Sequence, residues 1–173
     1  MSYRPICDVW ILARSKVKFY GAYPAGFLHR ARALLGVSNN DPVLHACAGK
    51  IKDYPYRGFG PNDRTLDLDP ATHPDFCQDA RDPWPCPSEW AAVLADPPYT
   101  EADAEQYACG SSVLPSANEI LRRAFEAVCD GGRVGLLHYV WPQPPKGVKE
   151  VAVVAVGTGR NNRARWYTVW ERE

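Results

Sequence analysis

Apolar residues recur at helical spacing over residues 24–36, where Phe27, Leu28, Ala31, Leu34 and Leu35 share one face and Arg30 and Arg32 lie off it. Pro24 near the start and Gly36 at the end punctuate a helix there. A second stripe, Ala117, Ile120, Leu121, Ala124, Phe125 and Val128, predicts another helix. Ser116 and Glu119 open it as a capping box, and Gly131 with Gly132 closes it. Four short runs are apolar almost throughout: residues 43–49, 65–70, 90–95 and 133–139. Runs of this kind suit strands buried on both faces of a parallel sheet. Residues 150–156 and 163–170 flank a loop at 157–162, which is a hairpin signal. A strand–helix region followed by an antiparallel pair predicts an α/β fold, doubly wound, with a mostly parallel sheet and an antiparallel C-terminal hairpin.

Composition narrows the function. At 173 residues the expectation is one domain, 1–173, and no repeat or linker divides it. Lys and Arg number 20 and Asp and Glu number 20, so polynucleotide is not held here by bulk charge, and any such contact needs a local patch. No apolar run approaches a membrane span, and the N-terminus does not read as a secretory signal, so a cytosolic protein with no membrane partner is the default. The six cysteines include no CxxC pair and read as reduced thiols. The chain has 16 prolines, well above the usual proportion of about 5%. Most fall between residues 55 and 98 and between 142 and 145, which predicts irregular connections with fixed backbone.

The run at 90–95 ends in Asp96-Pro97-Pro98-Tyr99. In open α/β sheets ligands bind beyond the carboxyl ends of strands. Two prolines stiffen the backbone and remove two N–H donors, leaving carbonyl oxygens and a carboxylate as acceptors. Such a turn can hold an amino group by two acceptors and press a planar ring onto Tyr99.

Here the sequence resembles a family. DPPY is the catalytic motif of the amino-group methyltransferases that act on adenine in DNA, within the class I S-adenosylmethionine-dependent, Rossmann-like fold. The order of the surrounding segments is similar as well. Residues 43–49, with His45, Ala46, Cys47 and Gly49, look like the first strand and its cofactor-binding turn. Asp67 and Leu68 look like the acid that holds the cofactor ribose and its neighbour. Asp79 and Ala80, with Gln78, look like the segment that contacts the cofactor adenine. Residues 18–24, with Tyr20 and Tyr23, look like the N-terminal motif that closes over the methionine end. The resemblance covers nearly the whole chain and is greatest to the small, phage-type N6-adenine methyltransferases without a separate target-recognition domain.

The resemblance implies the following roles. Asp96 and the Pro97 carbonyl accept hydrogen bonds from the target amino group, Pro98 fixes the turn, and Tyr99 stacks on a base flipped from the duplex. Asp96 also adjoins the cofactor, S-adenosyl-L-methionine, and no metal is needed. Transfer is in-line displacement promoted by proximity and alignment. The partner is DNA, the recognition sequence is short or relaxed, and segments 50–64, 100–115 and 140–147 are the candidates to read it. A phage origin implies the cytoplasm of a bacterial host cell. One departure stands out. The family usually carries an acid and two glycines in its first turn, where this chain reads His45-Ala46-Cys47-Ala48-Gly49-Lys50, and Asp53 and Asp69 are the candidates to replace the acid.

Plainer readings stand beside these. Tyr20 and Tyr23 also fit core packing, Asp67 and Asp69 a solvated turn, Asp79 a helix cap, and Gly49 a simple turn. His73, Cys77 and Cys86 match no standard zinc spacing. Cys47 has no evident partner as a nucleophile, and Gly58-Phe59-Gly60 is a weak phosphate loop. Arg160, Arg163 and Arg165 read as solvated hairpin residues or local phosphate contacts. Two other functions fit the same motifs: an RNA or protein N-methyltransferase with DPPY chemistry, and a non-catalytic nucleic-acid-binding protein on a methyltransferase scaffold.

Overall fold

The computed structural model describes residues 4–17, 19, 22–106, 114–159 and 164–173. Its described strands are β1 (Ile6–Ile11), β2 (Val43–Ala46), β3 (Arg64–Asp67), β4 (Phe76–Cys77), β5 (Trp90–Ala95), β6 (Val128–His138), β7 (Val148–Gly157) and β8 (Arg165–Arg172). The helices are α1 (Phe27–Leu35), α2 (Glu101–Gln106) and α3 (Ala117–Ala127). All eight strands join one sheet in the order β1-β7-β8-β6-β5-β2-β3-β4. Only β8 runs against its neighbours, pairing antiparallel with β6 and β7. The expected mostly parallel sheet with an antiparallel C-terminal hairpin is what the chain builds.

The near-continuous apolar runs have their cause in the layers above and below the sheet. Val43, Ala92, Leu94 and Leu137 point to the face covered by Phe27, Leu28, Ala31 and Leu35 of α1. Leu44, Ala46, Val93, Ala95, Val134 and Leu136 point to the face covered by Ile120, Leu121, Ala124 and Phe125 of α3. A central parallel strand buried on both sides cannot afford alternate polar positions. On the α1 side an aromatic cluster fills the layer. Phe27 meets Tyr23 at 4.9 Å, Tyr167 at 5.2 Å and Trp10 at 6.2 Å between ring centroids.

Both predicted helices exist, with corrected ends. Gly36 takes up the left-handed conformation just past α1 (φ 70°), the usual place for a glycine without a Cβ penalty. Ser116 caps α3, its Oγ accepting from Glu119 N–H at 3.2 Å. Gly131 and Gly132 do not end that helix. It stops at Ala127, and the backbone turns directly into β6 at Val128 (φ −76°, ψ 145°), where Val128 is buried opposite Trp90. Pairing of the extended chain with β5 takes precedence over one more helical turn, and both glycines lie inside the strand.

The proline-rich middle behaves as expected. Between β2 and β5 the only helical pieces are single 3-10 turns at Ile51–Asp53 and Pro70–Thr72. Parallel strands normally need a longer crossover helix. Here that role falls to irregular chain pressed onto the neighbouring elements. Gly58 sits at φ 126°, and a Cβ there would lie 2.6 Å from backbone atoms of Leu28 and His29. The segment 58–60 is therefore packed against α1 and is not a phosphate loop. Gly58→Ala combines a strained φ with backbone overlap and should cost about 2–4 kcal/mol. Urea unfolding of the two proteins measures this, with unchanged m-values expected.

Candidate active site

The strand order reverses between β2 and β5, since β3 and β4 follow on one side of β2 while β5 lies on the other. The loops leaving these two strands meet at that switch point, the favoured ligand crevice of an open α/β sheet. Asp96 N–H donates to Ala46 O at 3.2 Å and so ties the DPPY turn to the end of β2.

The turn after β2 is shaped by positive φ at two residues, Cys47 (53°) and Gly49 (52°). Space above Gly49 is open, with no atom within 4 Å of the place a Cβ would occupy. Asp67, at the end of β3, receives Gly49 N–H on Oδ2 at 2.7 Å and Asp69 N–H on Oδ1 at 2.9 Å. Burial pushes the Asp67 carboxyl up, against the pull of those two backbone donors. Each oxygen keeps lone-pair capacity after one such bond. A carboxylate in this position can take a pair of vicinal hydroxyls, and the open turn admits a ligand close to backbone. The residues present therefore fit an adenosyl cofactor.

At the end of β5, Tyr99 donates its hydroxyl to Asp96 Oδ1. The Arg165 guanidinium, at the start of β8, donates to the same Tyr99 hydroxyl. Burial pushes the Asp96 carboxyl up to about 6; Arg165's charge and the Tyr99 hydrogen bond oppose this, and nearby Asp103 adds to it. Tyr99 itself is pushed up by burial and by the Asp96 charge. Its ring lies 4.3 Å from Tyr139, tilted by 40°, and edge-on to His138 at 5.2 Å. Pro97 is buried and Pro98 half-buried behind the turn.

The remaining expected residues are placed as follows. Ala46 and Ala80 are buried, and Cys47, Leu68 and Asp79 half-buried. Trp84 Nε1–H donates to Ala80 O at 2.8 Å, which pins that segment. Asp79 is engaged by Arg81, whose Nε donates to it at 2.9 Å and holds its carboxyl below the usual range. Tyr23 is buried in the aromatic layer against Phe27 and Tyr54, and burial followed by the Asp96 charge raises its hydroxyl pKa. Tyr20 lies outside the described residues, as do Arg160 and Arg163.

His45 lies inside the fold. Its imidazole is buried, and Nε2 lies 2.9 Å from Asp63 Oδ2. Nδ1 is shut off from solvent without a partner. The imidazole is therefore not open to a ligand, and it braces the turn from below. Arg32 Nη1 reaches the same carboxylate at 2.8 Å, completing an internal Arg32–Asp63–His45 group.

Sequence reading assigned no site role to His138 or Tyr139 and read Arg165 as a solvated hairpin residue or a local phosphate contact, not as a neighbour of Tyr99. One signal was present. Residues just past the ends of parallel strands gather at one rim, and an antiparallel β8 starts at that same rim.

No protein-family model matches the chain, and no curated protein matches it in sequence. Solved structures do. TrmN from Thermus thermophilus superimposes with a TM-score of 0.65 at 20% identity over 89% of this chain, which spans 50% of that one. The fold is that of the class I methyltransferases. A SAM-dependent methyltransferase from Aquifex aeolicus gives a TM-score of 0.54 at 11% identity, over 85% of this chain and 90% of that one. A geranyl diphosphate C-methyltransferase from Streptomyces coelicolor, solved with S-adenosyl-L-homocysteine, gives 0.56 at 11%, over 84% and 78%. On this methyltransferase fold the DPPY turn and the Gly49–Asp67 cradle occupy adjoining loops at the switch point. No helix among the described residues is long and apolar enough to cross a membrane.

Proposed function

We propose that the chain transfers a methyl group from S-adenosyl-L-methionine to the N6 amino group of adenine in DNA. The observation that carries the reading is Asp96-Pro97-Pro98-Tyr99 at the carboxyl end of β5, joined by Asp96 N–H to the end of β2, beside the Gly49–Asp67 cradle. The cofactor supplies an electrophilic methyl when bound, with Asp67 and the turn at Cys47 and Gly49 as the groups to hold it.

The chain's own residues would do the rest. With Oδ1 held by Tyr99, Asp96 offers Oδ2 to one amino hydrogen. The Pro97 carbonyl offers an acceptor to the other. Two acceptors on one amino group draw its lone pair out of ring conjugation and fix its direction, which is where alignment contributes most. Arg165 keeps positive charge beside Asp96 and favours the ionised, accepting form.

Isotope-labelled cofactor, unmethylated DNA and digestion to nucleosides test the reading, with label expected in N6-methyladenine. Label in RNA or protein substrates instead would move the substrate class and keep the chemistry. Asp67→Ala should weaken cofactor binding about 10- to 100-fold, the loss of hydrogen bonds to a charged group together with the brace on Gly49. Calorimetry with the cofactor measures it. An unchanged affinity would remove Asp67 from the cofactor site.

A further inference from the structure

The aromatic surface at the DPPY turn continues beyond it. Tyr139, against Tyr99, is followed two residues later by Trp141, whose indole lies 5.5 Å from that of Trp166 at a tilt of 40°. Trp166 stands opposite His138 in the β6–β8 ladder, and His138 is edge-on to Tyr99. One indole thus leaves the site along the exit of β6 and the other along the entry of β8, and the two meet. Trp141 is 46% exposed and Trp166 38%, with Val140 beside them at 57%. Tryptophan is highly buried on average, so two adjoining indoles in water mark a contact surface.

We propose that Trp141 and Trp166 form a stacking platform for an unpaired nucleobase next to the target nucleotide. The proposal rests on the reading above, that the substrate is a polynucleotide. Three observations favour a base as the occupant. The platform adjoins the residues around Tyr99 through the backbone, since Trp166 is the ladder partner of His138 and Trp141 follows Tyr139 by two residues. The chain bends at Tyr139 and Val140 on leaving β6, so Trp141 lies at most about 7 Å along the backbone from the residue against Tyr99, within reach of a neighbouring nucleotide. A chain with 20 basic and 20 acidic residues draws little affinity from phosphates at large, so binding must come from local contacts. Indole stacking needs no charge and tolerates any base.

The test uses single-stranded DNA with 5-iodouracil one or two positions either side of the target adenine, irradiated with the intact protein and mapped by peptide mass. Cross-links are expected on Trp141 or Trp166. Trp141 lies outside the strands, so Trp141→Ala should leave Tm nearly unchanged. It should raise KM for DNA about 10-fold, with a much smaller fall in kcat, and Trp141→Phe should recover most of the loss. Cross-links that map elsewhere, or a KM unmoved by Trp141→Ala, would overturn the platform while labelled methyl still entered DNA. Cross-linking with the matching RNA but not DNA would keep the platform and change the nucleic acid. Failure to bind or methylate any polynucleotide would sink the functional reading and the platform with it.

Discussion

Asp63→Ala is expected to lower folding stability by about 3–5 kcal/mol, the cost of stripping one partner from a buried charged group. A natural domain has only about 5–15 kcal/mol in all. Asp63 is fully buried and accepts from Arg32 Nη1 at 2.8 and 3.1 Å, from Gly60 N–H at 2.8 Å and from His45 at 2.9 Å. An ionised carboxylate can only accept, so His45 presents Nε2–H. Without Asp63, Arg32 keeps its bonds to the carbonyls of Ser38 and Asp41 but loses its counter-charge inside the protein. His45 is left with two unpartnered nitrogens under the candidate cofactor turn. Asp63→Asn retains the shape and one acceptor and should cost less. Chemical denaturation at pH 7 ranks the three proteins, and a loss under 1 kcal/mol for Asp63→Ala would contradict this account.

The same group sets an acid limit. Burial pushes the Asp63 carboxyl up, but the His45 and Arg32 contacts and Gly60 N–H outweigh it, and the folded-state pKa is depressed. A depressed carboxyl contributes stability that is present above its unfolded pKa and is lost as pH falls through the folded one. Stability should therefore decline below about pH 4. Asp63→Asn should flatten that decline.

How far such features were visible beforehand depends on how local they are. α1, α3 and β5 were legible because each buries a stripe or run set by neighbours in sequence. β1 was not. Of its residues only Trp10 is buried, while Ile6, Val9 and Ile11 are more than half exposed at the sheet edge, so no alternation marks the strand. β4 is two residues long, below any periodic signal. The DPPY turn was legible because four consecutive residues carry its chemistry. Arg165 was not, since its place against Tyr99 follows from the direction of β8 and from no feature of its own segment. The partner of His45 was hidden for the same reason: Asp63 lies 18 residues on, across an irregular crossover whose course no sequence pattern states.

Asp96 should combine a large loss of function with a gain in stability. Removing a preorganised acceptor at the reacting nitrogen, Asp96→Ala should slow methyl transfer about 10²–10³-fold. In the unmodified protein, burial raises this carboxyl from its ordinary 3.8 to about 6. Only the ionised form accepts the amino hydrogen without competing as a donor. The rate constant kcat/KM should then fall about tenfold per unit below pH 6 and level off above it. Asp96→Asn should lack that inflection at whatever rate it retains. The sign for stability is opposite to that of Asp63. A raised carboxyl binds its proton more tightly when folded, so stability falls as pH rises from about 4 to 6, and the cost is fully expressed above that. Removing the charge should return up to about 3 kcal/mol at pH 7, from a shift of about two units at 1.36 kcal/mol each. Activity and denaturation measured on the same Asp96→Asn preparation decide the matter. Lower activity with a higher midpoint identifies a carboxylate kept in an unfavourable place for its chemistry. Lower activity with a lower midpoint would make Asp96 a brace for the turn, and the loss of rate a consequence of misfolding.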